Sequence, residues 1–249
     1  MTTQVMEAAP GTTPRADARR RSGFYVGMAM AILAVVLTGF GQRYYLRLGS
    51  GTLTLPWLVH LHAAVFTSWI ILFVAQTALV AAHRVDLHRR LGVVGAVLAP
   101  MIVVLGIAVS IHGARNGWNP AGPRGPFRSP LEFMVVPLSD IAIFGGFVAA
   151  ALYQRRRPEL HRRLMLLAMI GGMLWAALTR VPPLVGKLPA LLGVLVLFAL
   201  ASPVRDLLAR RSPHRVDLLG GLLIVATVPL RSLIARTDAW NAFAGWLVR

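Results

Sequence analysis

The chain has seven histidines and no cysteine, so any metal or haem it holds must be held by imidazole and carboxylate. Without thiols, disulfides, thiolate zinc sites, iron–sulfur clusters and covalently attached c-type haem are all excluded. The histidines fall into groups. His60, His62 and His112 stand near the ends of apolar stretches, as do Arg180 and Arg231, while Asp140 sits inside one. His88 and His161 recur in the same pentapeptide, Leu-His-Arg-Arg-Leu, at 87–91 and 160–164, with a looser copy at His214-Arg215.

Two kinds of chemistry follow. In a haem b reading, imidazoles from neighbouring helices ligate iron and arginines pair with the propionates. The pairs are then His62 with His112 and His88 with His161, and the arginines are Arg180 and Arg231. In a metal reading, His60 or His62, His112 and Asp140 hold zinc or another cation, with one position open for water. Each residue also has a plainer role. Histidine and arginine at helix ends snorkel to the headgroups, and Asp140 paired with Arg180 or Arg231 orients helices without catalysis. Met165, Met169 and Met173 form an adaptable core stripe, and Trp57, Trp69 and Trp175 pack. Phosphate loops and a Ser-His-Asp context are missing from the sequence.

These residues need helices in lipid to position them. Hydrophobic residues make up 56% of the chain and charged ones 14%, and mean hydropathy is +0.65. A soluble domain carries nearer a quarter charged residues. About 20 apolar residues cross a hydrocarbon core of about 30 Å, and backbone satisfaction in lipid makes each crossing helical. The expectation is an all-α bundle of seven spans at 24–41, 57–82, 91–112, 131–153, 164–181, 188–201 and 216–235. The sixth is the shortest, squeezed between Pro182-Pro183 and Ser202-Pro203.

The net charge of +17 would suggest nucleic acid in a soluble protein. Here the charges cluster between apolar stretches, so the partner is the bilayer and not nucleic acid. Sixteen of the 26 basic residues fall in alternate segments, around Arg15–Arg21, Arg84–Arg90, Arg155–Arg163 and Arg205–Arg215. By the positive-inside rule these segments are cytoplasmic, which puts the N-terminus inside and the C-terminus outside. Residues 1–22 read as a disordered basic tail, 23–235 as the membrane domain, and 236–249 as an interfacial helix with Trp240, Phe243 and Trp246 on one face. The loop 113–130 has four prolines and four glycines and reads as irregular.

The second span carries the clearest pattern. His62, Trp69, Gln76 and His83 are seven apart, with Phe66, Phe73 and Val80 between them, all along one helix stripe. Such a stripe should face other helices. On the third span Gly92, Gly95, Ala99, Gly106 and Ser110 form a small-residue face.

His62, Gln76 and His88-Arg89-Arg90-Leu91-Gly92 resemble the marks of bacterial multispan families that have a span histidine, a glutamine near its end and a His-Arg-x-x-Gly helix start. The likeness covers the second to fifth spans and implies the architecture. The histidine pairs are more distantly similar to the b561-type diheme membrane cytochromes, although here they stand at helix ends. That resemblance implies transmembrane electron transfer, with a quinone or other subunits of a membrane complex as partners, in a bacterial inner membrane. The alternatives are an accessory subunit without its own cofactor, or a proton-coupled transporter using Asp140.

Overall fold

The computed structural model describes residues 14–117 and 126–249, with side chains from residue 22 onward. It is all-helical, with no strand among the described residues. Six helices are long and apolar enough to cross a membrane.

The first, α1, runs over Pro14–Phe40 and continues through a π-helical turn, Gly41–Tyr45, to Leu46–Gly49. It begins at Pro14, so the helix takes in the second half of the expected tail; residues 1–13 lie outside the described ones. Then come α2, Trp57–Ala81, and α3, Val85–Arg115. After a one-turn helix, Pro130–Phe133, α4 covers Val135–Tyr153. The tip of the loop between α3 and α4, 118–125, is outside the described residues.

Next, α5 is built of Pro158–Met169, a π-helical turn Ile170–Leu174, and Trp175–Leu178, with no break between them. Pro158 at its first position and Glu159 in its first turn suit a helix start, where no backbone donor is lost and the dipole favours an acid. Nearly every residue from Arg163 to Leu178 is buried. This helix touches α1, α4, α6 and α7, so it is the centre of the bundle. Here α6 is Leu188–Leu208 and α7 is Arg215–Ala235.

The expected stop at Ser202-Pro203 is corrected: α6 runs through both to Leu208. The reason is polar, since Ser202 and Asp206 are buried and reach across to α5 and α7. The last helix, α8, spans Asp238–Leu247 and starts where the Thr237 hydroxyl accepts from the Trp240 amide at 3.2 Å. It is tied down at both ends. Trp240 Nε1 donates to the Leu131 carbonyl at 2.9 Å, and Arg115 Nε donates to the Val248 carbonyl at 2.7 Å.

The neighbour order around α5 is α1, α2, α3, α4, then α7 and α6. The small-residue face of α3 serves two partners. Gly92 and Gly95 look onto Gln76 and Leu72 of α2, whereas Gly106 faces Ile141 of α4. On α5, Gly171 and Gly172 let three helices meet. A Cβ on Gly171 would come within 2.8 Å of Ile224, and one on Gly172 within 3.1 Å of the Asp140 carbonyl.

Candidate functional site

Polar side chains collect at two levels of this bundle. One is the arginine-rich end, with the α2–α3, α4–α5 and α6–α7 turns. The other is near the opposite end, where α8 lies.

At the arginine-rich end, the repeated pentapeptide brings its two histidines together. The rings of His88, on the first turn of α3, and His161, on the first turn of α5, are 6.4 Å apart and edge to face. His161 Nδ1 donates to the Ala151 carbonyl at 2.8 Å, in the last turn of α4, where a helix leaves carbonyls without partners. That bond fixes the tautomer and leaves Nε2 with its lone pair. The His88 ring lies against the Gln76 carbonyl of α2, and its Nδ1 is buried with no partner. Gln76 Oε1 is a second buried atom without a partner. The two helix starts that place these rings are themselves set by tight turns, and His83 takes a left-handed φ of 60° to close α2.

The repeat is not symmetric in its arginines. Arg89 and Arg90 are exposed, whereas Arg163 is 4% exposed and points into the bundle. Its guanidinium meets Asp206 at 2.8 Å, Ser202 at 3.1 Å and Glu159 at 2.7 Å, and also pairs with Asp217. Ser202 in turn donates to Asp217 at 2.7 Å, and Arg205 reaches Asp206 at 2.6 Å while stacking over Phe24 of α1. This network joins α1, α5, α6 and α7. Asp206 and Asp217, which are 3% and 2% exposed, are further buried acids that hydropathy and spacing do not single out. The available signal was an acid three residues after Pro203 and another in the first turn of α7. Both were hidden among the arginines that set the orientation.

Near the opposite end, His60, His62, His112, Glu132, Asp140, Arg180 and Arg231 are sorted into local pairs and one cluster. His60 Nδ1 pairs with the Tyr44 hydroxyl at 3.0 Å. His112 is bonded to Asn116, whose amide lies 3.3 Å from its Nδ1. Glu132 accepts from the Arg128 amide at 2.7 Å, holding its own loop. The rest converge. Asp140 is 5% exposed and forms a buried ion pair with Arg231, which is 4% exposed and lies over Trp175. Arg180 acts electrostatically on both Asp140 and His62, and its guanidinium covers the Phe40 ring at 4.9 Å. His62 stacks on Phe66 at 4.0 Å and lies against the Leu105 carbonyl, with its Nδ1 buried and unpartnered.

Two expected ligand sets are therefore not assembled. His62 meets α3 at Leu105, seven residues before His112, which is about 10 Å along a helix. His62 and His112 thus stand at different levels of α3. The alternative set of His60, His62, His112 and Asp140 is dispersed too. Among the described residues no three histidine, cysteine or acidic side chains stand close enough to share a metal.

The pair His88 and His161 does fit a shared metal. Two metal–imidazole bonds of about 2 Å each put ring centroids roughly 6 Å apart. A ligand histidine ordinarily donates its second nitrogen to a carbonyl or carboxylate, as His161 does. The orphaned His88 Nδ1 is the atom such a group would satisfy. Arg180 cannot serve a group held there, because it is 19 residues further along α5, roughly 28 Å at helical rise.

The remaining stripe on α2 is core. Trp69 and Phe73 are buried, and Trp69 Nε1 points at Met169 Sδ at 3.2 Å with its ring edge-to-face on Phe144. Val80 and His83 run out to the surface at the turn. Comparison with protein-family models, with curated proteins and with solved structures finds no match to the chain. The geometry alone has to support a functional reading.

Proposed function

We propose that the chain is a seven-span protein of a bacterial inner membrane, N-terminus in the cytoplasm and C-terminus outside, that carries haem b between His88 and His161. The seventh crossing is α5, whose three helical pieces run without a break over 158–178 and carry Glu159, His161, Arg162 and Arg163 in their first turns. A central crossing shielded by its neighbours can carry Arg163 and the glycine pair because little of it faces lipid. With seven crossings, the arginine-rich end is the cytoplasmic one.

The observation that carries the haem reading is the convergence of two imidazoles from adjacent helix starts, one with its Nδ1 committed to a carbonyl and one with its Nδ1 unsatisfied. His88 and His161 would hold the haem iron, and exposed Arg89 and Arg90 beside them would supply positive charge for its propionates. Haem b so held supplies a one-electron iron couple for exchange with a quinone or with another subunit of a membrane complex. The chain's own part is to fix both rings: the end of α4 orients His161, and α2 backs His88 through Gln76.

The test is a visible spectrum of protein purified in detergent after haem-replete expression. A Soret band is expected, lost in His88→Ala and in His161→Ala and kept in His62→Ala. No band in the wild type, or a band indifferent to both inner substitutions, sinks the reading.

A further inference from the structure

The layer around Asp140 holds more positive charge than it neutralises, and this has a consequence separate from the histidine pair. Arg231 pairs with the Asp140 carboxylate, and Arg180 lies within electrostatic reach of the same group. The other acids whose side chains are described are spent elsewhere. Asp86, Glu159, Asp206 and Asp217 stand at the arginine-rich end, Glu132 binds its own loop, and Asp238 opens α8. None is left for Arg180.

The donors are short of acceptors as well as of charge. Arg231 uses one terminal nitrogen on Asp140, while its Nε and its other terminal nitrogen are buried with no hydrogen-bond partner. An arginine 4% exposed with two orphaned donors is a costly arrangement, since a buried donor without a partner has lost its hydration and gained nothing in return. His62 Nδ1 is a third orphan at the same level. Trp175 and Phe66 wall the arginine and the histidine, which strengthens electrostatics by excluding water.

We infer that Arg180, Arg231 and His62 form a binding site for an oxyanion, a carboxylate or phosphate group, buried among α1, α2, α4, α5 and α7. Such a group balances the spare charge, and its several oxygens accept from Nε and the second terminal nitrogen of Arg231 in the forked geometry arginine favours. Asp140 then has a positioning role: it holds one edge of the Arg231 guanidinium so that the other edge is presented. An open groove of about 430 Å³ is lined by Leu37, Thr38, Gly41, Gln42, Leu46 and, two residues past Arg180, Pro182. It lies where the π-helical turn of α1 departs from regular winding, a feature often found at functional sites. The groove offers an apolar seat beside the cationic one, so the oxyanion is either a lipid headgroup with its chain in the groove or a small free anion.

The experiment separates these. The protein is reconstituted in phosphatidylcholine nanodiscs, with or without phosphatidylglycerol, and melted; in parallel, inorganic phosphate is titrated into the phosphatidylcholine sample. Stabilisation by phosphatidylglycerol alone identifies a lipid headgroup, and stabilisation by phosphate identifies a small anion. Arg180→Gln should weaken the effective ligand about tenfold or more, and so should Arg231→Lys, which keeps a cation beside Asp140 but removes the forked donors. The exposed Arg236→Gln, at the same end of α7, should leave binding unchanged. If neither anion stabilises the wild type, the inference fails. It fails equally if Arg180→Gln and Arg231→Lys bind as the wild type does, or if Arg236→Gln weakens binding as much as they do.

Discussion

Arg163 and Arg90 occupy the same place in two copies of one pentapeptide, yet replacing them with methionine should have very different effects. Arg90 is exposed, and a surface substitution away from special features moves stability by about 0.5 kcal/mol or less. Arg163 is 4% exposed and holds Glu159, Ser202, Asp206 and Asp217. Its loss does not orphan all of them. Glu159 is half in water and still has Arg162, and Asp206 keeps Arg205 at 2.6 Å. Asp217, 2% exposed, keeps only the Ser202 hydroxyl at 2.7 Å. The cost is therefore that of one buried carboxylate stripped of its cation, about 3–5 kcal/mol. On the scaling for domains of this size, that lowers the melting temperature by about 6–20 °C.

Reversible unfolding of the purified protein in mixed micelles, with helicity as the signal, measures both variants. Adding Asp217→Asn to Arg163→Met should recover part of the loss, because the uncompensated charge is then gone. The resulting coupling should reach 1 kcal/mol or more, inside the roughly 0.5–3 kcal/mol seen for residues in one network. Equal losses for Arg90→Met and Arg163→Met would refute the reasoning, as would a double variant no more stable than Arg163→Met alone.

Two further tests concern the backbone and the orientation. Gly172→Ala should destabilise by about 1–3 kcal/mol, because its new methyl group meets the Asp140 carbonyl and the Phe144 Cα at 3.0–3.1 Å. Gly146→Ala, with nothing within 4 Å, should be neutral or stabilising by up to about 1 kcal/mol; the same unfolding assay compares them, and the reverse order would count against the packing around Asp140. For orientation, the cysteine-free chain permits single-cysteine labelling. Asn241→Cys in α8 should react with a membrane-impermeant maleimide on intact cells, and Arg156→Cys in the α4–α5 turn only after lysis; the opposite pattern would invert the topology.

Much of the architecture is written locally. Long apolar runs punctuated by arginine clusters specify helices that cross lipid, because a backbone in hydrocarbon has no other way to satisfy its amides. The stripe on α2 announced an inward face, and Trp69 and Phe73 are indeed buried. The pentapeptide repeat announced two equivalent helix starts. It also suggested pairing His88 with His161, but how closely the rings approach depends on α4 lying between α3 and α5 and offering the Ala151 carbonyl. Local signals also overstated two boundaries, since Pro203 sits inside α6 and α1 already begins at Pro14.

The polar residues near the α8 end show the limit most plainly. Their sequence positions specify depth along each helix and leave rotation and neighbours open. His60 found Tyr44, His112 found Asn116 and Glu132 found its own loop, all partners within a few turns of chain or across one contact. Asp140 and Arg231 meet, with Arg180 in electrostatic reach of Asp140 and of His62, because Gly172 lets α5 settle against the Asp140 turn of α4 and α7 closes from the other side. Which helix lies next to which is decided by that packing. That polar groups are buried in the bundle follows from residue types alone, since charge in lipid is too costly to face outward. That Arg163 is neutralised by Asp206 and Asp217 while Arg231 keeps donors unmet follows from helix packing, because pairing depends on distances across helices far apart in the chain.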